Sequence, residues 1–288
     1  MKKTPRIKNG IPLGICATVT LVSCGRTGAY SADIIHKAAL DFIENHKDKP
    51  FFMFYPTTIP HAELIVKEEY LALFRGKFDP EKPYRGVEII DLLIDLGIEE
   101  NTIVIFASDN GPHLEGGADP VYFNSSGGLR GFKRDLYEGG IRTPLVVKWP
   151  AKIKKGTISG HISAFWDVLP TFADIAGAEV PENIDGISFL PELLGKKQKQ
   201  HEYLYWEFHE QGGRQAVRMG NWKAVRLNVN KEHDGELELY DLSKDPGETN
   251  NVASSNQEIT EKMKDIMNQA HTSSEVFPFS YEPTTINP

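Results

Sequence analysis

The pattern of hydrophobic residues changes its period along the first two thirds of the chain, and this pattern limits the possible folds more than any other feature. Residues 35–43 and 89–96 carry apolar side chains at the spacing of one helical face. Short runs of consecutive apolar residues, typical of strands buried on both faces, occur at residues 51–55, 102–107 and 145–149. This alternation predicts an α/β domain with a mainly parallel sheet flanked by helices.

The pattern differs after about residue 195. A polar linker precedes four short β-like runs that are separated by Gly-Gly, Gly and Asp-Gly turn signals. The runs are residues 203–208, 216–219, 222–227 and 237–240. They predict a small antiparallel sheet, and apolar residues between 259 and 270 predict a helix beside it. We therefore expect an α/β domain over residues 24–195 and a C-terminal α+β subdomain with a tail over residues 196–288.

Residues 1–23 have the features of a bacterial export signal. Basic residues precede an apolar run, residues 11–22, that is too short to span a bilayer. The run ends in Leu-Val-Ser-Cys, which resembles the lipobox of a lipoprotein, and an ordinary signal peptide is the alternative. We expect an exported protein in the periplasm or at the outer membrane of a bacterium. Its membrane contact would be a lipid anchor at Cys24.

The charge of the chain excludes one class of partner. The formal net charge is −8, and no basic stripe interrupts the acidic composition. A protein that binds nucleic acid needs clustered positive charge to neutralise phosphates. We therefore expect no nucleic-acid partner.

Two adjacent oxygen donors follow the apolar run at residues 102–107. Open α/β sheets place ligand sites just beyond the carboxyl ends of their strands. Asp109 offers a carboxylate and Asn110 an amide oxygen, and both suit Ca²⁺ or Mg²⁺ better than Zn²⁺. Taken alone, Asp-Asn-Gly after a strand is more often a simple turn.

A longer set of motifs resembles the sulfatase family of the alkaline phosphatase superfamily. Ser-Asp-Asn-Gly-Pro-His, a lysine four residues before Tyr-Glu-Gly-Gly, and Arg-x-Pro before a strand form a specific signature. The matching segments are residues 60–61, 108–113, 133–144, 165–171, 185–188 and 238–251. The resemblance implies an alkaline-phosphatase/sulfatase-like α/β fold. It also implies hydrolysis of sulfate esters of glycans or aryl alcohols, with Ca²⁺ or Mg²⁺ and a formylglycine nucleophile.

The resemblance also implies roles for individual residues. Asp109 and Asn110 resemble the C-terminal pair of metal ligands. Lys133 resembles the lysine that binds the sulfate oxygens during catalysis, and His113 lies near the substrate in related members. His61 resembles the histidine that hydrogen-bonds the sulfate or protonates the leaving alcohol. These roles fit the chemistry, because cleavage of a sulfate ester requires positive charge aimed at its oxygens and a proton donor near neutral pH.

Plainer interpretations stand beside these roles. His61 could be an ordinary loop histidine, and Lys133 a solvated surface charge. The glycines of Tyr-Glu-Gly-Gly could serve only the turn. His209 could line a substrate pocket, and Arg214 and Arg218 could contact a sugar, although we expect a surface position for the two arginines.

The sequence departs from the family pattern at the nucleophile. Sulfatases carry a Cys/Ser-x-Pro-x-Arg motif whose Cys or Ser is oxidised to formylglycine. No Cys or Ser stands two residues before a proline in these 288 residues, and no Asp-Asp pair completes the metal ligands. We therefore expect half of a metal site, a sheet that lacks its first strands, and no turnover by this chain alone. The alternatives are a non-catalytic protein that binds sulfated glycans and a metal-dependent phosphoesterase of the same superfamily.

Overall fold

The structure of the protein is a computed structural model that describes residues 15–18, 31–57, 87–115 and 119–282. The α-helices are α1 (Ser31–His46), α2 (Val87–Asp95), α3 (Glu138–Ile141), α4 (Val168–Ala176), α5 (Leu190–Leu193) and α6 (Gln257–Ala270). The strands are β1 (Ile15–Thr18), β2 (Phe51–Phe54), β3 (Val104–Ala107), β4 (Leu145–Lys148), β5 (Leu204–Phe208), β6 (Arg214–Met219), β7 (Trp222–Leu227) and β8 (Leu237–Asp241).

Contacts divide the chain into two compact units. The first unit comprises residues 1–105 and 147–199, and the second comprises residues 106–146 and 200–288. This division by contacts does not test the boundaries 1–23, 24–195 and 196–288, which stay predictions. None of the described helices is long and apolar enough to cross a bilayer.

Helix α1 is built as its apolar spacing predicts. Ile35, Ala39 and Ile43 lie one turn apart on the same face and are buried in the first unit. Lys37 and Asp41, also one turn apart, form an ion pair on the exposed side. The prediction of an amphipathic helix in this segment is confirmed.

Strands β1 and β2 pair in parallel, with Ile15 opposite Phe51. Strand β1 lies within the apolar run that the sequence assigns to an export signal, outside the fold. Such a run fits a strand as well as a signal, because apolar and β-branched residues favour both. The other residues of the predicted signal and Cys24 lie outside the described residues, so the signal and the lipid anchor stay predictions.

Strands β3 and β4 form a separate two-stranded sheet. Their sequences predict strands buried on both faces, and this is wrong for part of each strand. Phe106 is 68% exposed and Val146 is 59% exposed. Within the described residues β3 and β4 pair only with each other, so neighbouring strands do not cover them. The single, mainly parallel sheet of the prediction therefore stays a prediction.

Helix α4 has Pro170 in its first turn. A short 3-10 helix, Phe165–Asp167, leads directly into α4, and Pro170 occupies its first turn, where its missing N–H is not needed. The buried carboxylate of Asp167 accepts hydrogen bonds from the backbone N–H groups of Ala164 and Ile187, at 2.8 Å each. One carboxylate thereby joins the start of this helix to the segment that leads into α5.

The second unit is built around an antiparallel sheet with the order β5-β6-β7-β8. Met263 and Met267 of α6 are fully buried on one face of this sheet, against a cluster that includes Val217 and Leu239. The opposite cluster contains Val225 and its neighbours. The predicted small antiparallel sheet with an adjacent helix is confirmed.

Candidate functional site

The turn after β3 presents the two predicted oxygen donors. Asp109 is exposed and Asn110 half-buried. The side-chain amide of Asn110 donates a hydrogen bond to the carbonyl of Gly111 at 2.8 Å, which leaves the amide oxygen as an acceptor for another partner. Ser108 Oγ closes the turn by donating to the carbonyl of Asn110 at 2.9 Å. The turn therefore has the chemistry of two ligands to a hard cation.

This turn is bonded to the loop that carries Lys133. The backbone N–H of Gly111 donates to the carbonyl of Gly140 at 2.8 Å, and the N–H of Lys133 donates to the carbonyl of Pro112 at 2.7 Å. A Cβ on Gly111 would lie 1.9 Å from the carbonyl oxygen of Gly139. Glycine at this position is thus required by a close approach of two segments, and the Asp-Asn-Gly sequence is more than a turn signal.

His113 continues the same segment. Its Nδ1 accepts a hydrogen bond from the backbone N–H of Glu115 at 3.1 Å. A neutral ring that makes this bond carries its proton on Nε2. Glu115 in turn pairs with Arg134 at 2.6 Å, next to Lys133. The structure therefore brings Asp109, Asn110, His113 and Lys133 onto two segments that are hydrogen-bonded to each other. His61 lies outside the described residues.

His209 lies at the end of β5 and has partners within its own unit. Its ring stacks on Phe279 with the centroids 3.9 Å apart, and its Nε2 contacts Glu207 at 2.9 Å. Only 12% of its side chain is exposed, so the ring is covered by residues of the same chain. A substrate-binding role for His209 stays a prediction.

The two arginines proposed as sugar contacts have internal partners as well. Arg214 bonds the carboxylate of Asp135 at 2.6 Å, and Arg218 bonds the carboxylate of Glu138 at 3.1 Å. The expected surface position is wrong for both, since their side chains are each only 16% exposed. They fasten the loop around Lys133 to β6.

A buried charge cluster, unnoticed in the sequence, lies beside this loop. It consists of Glu138, Arg218, Lys223 and Glu248. The ammonium of Lys223 lies 3.0 Å from one oxygen of Glu138 and 3.6 Å from Glu248. The backbone N–H of Glu138 donates to the other oxygen of Glu248 at 2.7 Å. Lys223 and Glu248 are fully buried.

The two carboxylates of this cluster differ in their pKa. Burial acts to raise the pKa of Glu138, but the charges of Lys223 and Arg218 outweigh it and hold that pKa below its usual value. Burial dominates for Glu248 and raises its pKa, although Lys223 opposes the shift. Glu138 is therefore the ionised partner of both cations.

One signal in the sequence points to this cluster. Lys223 and Val225 lie two residues apart on a strand and therefore face the same side of the sheet. Val225 belongs to a buried cluster. A lysine at such an inward position requires a buried carboxylate, but a single sequence does not reveal which one.

The donor set fits part of a divalent metal site. Asp109 and Asn110 supply two side-chain oxygens, whereas Ca²⁺ takes about six to eight. In the described ranges 15–18, 31–57, 87–115 and 119–282, no three His, Cys, Asp or Glu side chains converge to hold a metal ion. Asp109 and Asn110 fit part of a ligand set, and the half-complete metal site stays a prediction.

Comparisons with known proteins find a family whose model covers half of the chain. The family described as N-sulphoglucosamine sulphohydrolase, C-terminal, matches residues 130–273, which is half of the chain. This range contains the Lys133 loop, the buried charge cluster and the whole antiparallel sheet.

Individual relatives extend the match to earlier residues. The chain is 30% identical to the N-acetylgalactosamine-6-O-sulfatase of Bacteroides thetaiotaomicron over 263 residues, covering 84% of this chain and 51% of the relative. It is 32% identical to human arylsulfatase A over 253 residues, covering 76% of this chain and 48% of the relative. The structure of Ps i-CgsB in complex with k-i-k-neocarrahexaose is 28% identical, with a TM-score of 0.71, and the match covers 84% of this chain and 55% of that one.

The chain spans about half the length of these relatives. The fold of the matched part is the α/β fold of sulfatases. Together with the Asp109 turn and the Lys133 loop, these matches show that the chain belongs to the sulfatase family and corresponds to its C-terminal portion.

Proposed function

We propose that this chain supplies the C-terminal share of a site that hydrolyses sulfate esters. The observation that carries the proposal is the pair of backbone hydrogen bonds between the Asp109 turn and the Lys133 loop. They hold two oxygen donors for a cation and one ammonium group on a single bonded framework. A sulfate ester needs this combination, because negative charge builds on its oxygens as the ester bond breaks.

Each residue has a defined task in this proposal. Asp109 and Asn110 take two positions around Ca²⁺ or Mg²⁺, and Lys133 binds a sulfate oxygen. His113 and His61 face the substrate, and His61 protonates the leaving alcohol. The metal supplies positive charge at the sulfate oxygens when it is bound. The formylglycine nucleophile of the family has no source in these 288 residues, so they are expected to bind the ester without cleaving it.

Sulfated carbohydrate is the substrate class that we propose. Relatives at 28–30% identity are named as an N-acetylgalactosamine-6-O-sulfatase and as a protein bound to k-i-k-neocarrahexaose. The similarity to an arylsulfatase keeps aryl sulfate esters as the second substrate class.

Two further proposals concern the whole protein. The first is that β2, β3 and β4 belong to one mainly parallel sheet in the complete family fold. The second is that residues 1–23 direct export to the bacterial periplasm or outer membrane and that Cys24 carries a lipid. Labelling of the expressed protein with a fatty acid should be lost in Cys24→Ala, and labelling that persists would contradict the anchor.

Binding of inorganic sulfate and of Ca²⁺ to the purified chain tests the proposed site. Lys133→Ala should weaken sulfate binding at least about ten-fold, since a hydrogen bond to a charged group contributes about 1.5–3 kcal/mol. Asp109→Ala should abolish Ca²⁺-dependent shifts in the NMR signal of Gly111. Lys231→Ala and Asp265→Ala are matched controls on exposed residues of the second unit and should change neither.

Turnover is the second test. The purified chain with Ca²⁺ should not hydrolyse an aryl sulfate ester. Hydrolysis that disappears in Lys133→Ala or Asp109→Ala would contradict the expectation that the nucleophile is missing. Absence of both turnover and sulfate binding would contradict the proposed site itself.

A further inference from the structure

A short path of contacts through Gly139, Gly140 and Gly111 links the buried charge cluster to the proposed metal donors. Lys223 holds the carboxylate of Glu138, and the next residues of α3, Gly139 and Gly140, contact the donor turn. The carbonyl of Gly140 accepts the N–H of Gly111, which directly follows Asn110. All of these contacts lie within the second unit.

The same segment also fixes the loop that carries Lys133. The N–H of Gly139 donates to the carbonyl of Arg130 at 2.7 Å, and a Cβ on Gly139 would lie 2.5 Å from that oxygen. A Cβ on Gly140 would lie 2.1 Å from the carbonyl oxygen of Asp135. Glu138 therefore anchors a segment that is packed by backbone against both ends of the Lys133 loop.

Lys223 is the cation of Glu248. Glu138 contacts three cations, namely Lys223, Arg218 and, at 3.9 Å, Arg142, whereas Glu248 contacts only Lys223 among the described ion pairs. Removing it would leave a fully buried Glu248 without its cation, and a buried charge that loses its partner moves toward water or takes up a proton.

We infer that Lys223 is a positioning residue for the proposed sulfate-ester site. Its ammonium neutralises Glu248, whose carboxylate accepts the N–H of Glu138, and this keeps the Glu138–Gly140 segment in place. That segment sets the distance between the Asp109 turn and the Lys133 loop. Lys223 touches neither sulfate nor metal, and it acts through Glu138. The functional meaning of this inference rests on the proposed function, whereas the structural link does not.

The test compares Lys223→Met with a charge-balanced double variant, Lys223→Met with Glu248→Gln, in the full chain. Inorganic sulfate is the probe for binding. Lys223→Met should weaken sulfate binding by about ten-fold, because a displacement of about an ångström strongly weakens a positioned contact. The double variant should bind sulfate within about two-fold of the wild type. In that variant Glu138 keeps Arg218, and the introduced amide oxygen still accepts the N–H of Glu138.

The pH profile separates positioning from a loss of packing. Sulfate affinity of Lys223→Met relative to wild type should recover as pH falls through the raised pKa of Glu248, because protonation removes the unpaired charge. A packing defect would leave the ratio constant. Lys231→Met, at an exposed position, should match the wild type at every pH.

Amide hydrogen exchange keeps the inference testable if the wild type does not bind sulfate. Exchange at Gly111, Lys133 and Gly139 should accelerate by about ten-fold or more in Lys223→Met and return in the double variant. Exchange at Met263 and Met267 of α6 reports global unfolding. The inference would be overturned if exchange accelerated equally at these three amides and at Met263 and Met267. It would also be overturned if exchange at Gly111, Lys133 and Gly139 did not change. If exchange changes as expected but the wild type does not bind sulfate, only the proposed function is contradicted.

Discussion

Two carboxylate clusters fasten segments of the chain to the same antiparallel sheet, and they use different cations. In the first, Glu138 binds Lys223 and Arg218. In the second, Glu207 of β5 contacts His271 at 2.5 Å and shares its other oxygen with His209. The first cluster holds the loops of the candidate site, and the second holds the C-terminal segment of the described chain.

The difference lies in where each cation titrates. Lysine and arginine stay protonated throughout the neutral range, and they hold the pKa of Glu138 below its usual value against burial. His271 lies between two carboxylates, with Nδ1 on Glu207 and Nε2 on Glu282 at 2.9 Å. Burial acts to lower the pKa of His271, but these two carboxylates raise it above 6.5.

The comparison suggests a division of tasks within one sheet. The candidate site is attached through Glu138, a carboxylate whose pKa is held below its usual value and which stays ionised between about pH 5 and 9. The C-terminal segment is attached by a histidine whose charge does change in that range. The attachment through His271 should therefore respond to pH, and the attachment through Glu138 should not.

Glu138→Ala should have the largest effect. Removal of one partner from a buried ion pair typically destabilises a protein by about 3–5 kcal/mol, because the remaining charge stays buried. Glu207→Ala should be milder, by about 1–3 kcal/mol, since the Glu207 side chain is 18% exposed and water can replace it. Urea denaturation at pH 7 measures both free energies of unfolding.

Glu236→Ala is the control for this comparison, at an exposed glutamate of the same unit. It should stay within about 0.5 kcal/mol of the wild type. Equal losses for Glu138→Ala and Glu207→Ala would mean that the two clusters contribute alike, and the proposed contrast would be wrong.

The pH dependence of stability should separate the clusters next. The folded pKa of His271 is raised above 6.5, so its contribution is complete below pH 6.5 and is lost as pH rises through the folded pKa. The loss should be on the order of 1.5–3 kcal/mol, the contribution of a hydrogen bond to a charged group. Thermal unfolding between pH 5 and 9 measures it.

The His271→Gln variant should lack this decline, and His233→Gln, at a histidine whose side chain is 42% exposed, should retain it. NMR titration of the His271 ring should give a pKa above 6.5 that falls in Glu282→Gln. A stability difference between wild type and His271→Gln that grows with pH would have the wrong sign for this mechanism.

The sequence predicts most of the elements but not these clusters. Helix α1, the four strands β5 to β8 and α6 follow from local spacing and turn residues, since neighbours along the chain determine both. The Asp109 turn and Lys133 followed from motifs. Exposure of Phe106 and Val146 could not be predicted, because local apolar pattern does not say how many strands will pair.

Contacts between distant residues explain the other differences. Glu138 and Lys223 lie 85 positions apart, and Glu207 and His271 lie 64 apart. Single-sequence patterns report on neighbours within a turn or a strand, so they do not specify which carboxylate meets which cation. His209 is the clearest case, since its covering ring, Phe279, comes from the end of the described chain.

Phe279→Leu should have the smallest effect on stability. Phe279 is fully buried, stacks on His209 at 3.9 Å and lies 5.5 Å from the His271 ring. Leucine keeps most of the volume but removes the ring contacts, which contribute about 0.5–1.5 kcal/mol for aromatic pairs. The loss should appear in the free energy of unfolding.

The structural consequence should stay local to the histidine cluster. Amide exchange at Ser280 and Glu282 should accelerate in Phe279→Leu, while exchange at Gly111 and Gly139 should match the wild type. Faster exchange at Gly111 would mean that the C-terminal segment also supports the candidate site. The two clusters would then act as one attachment, and the division between a constant and a pH-dependent anchor would not hold.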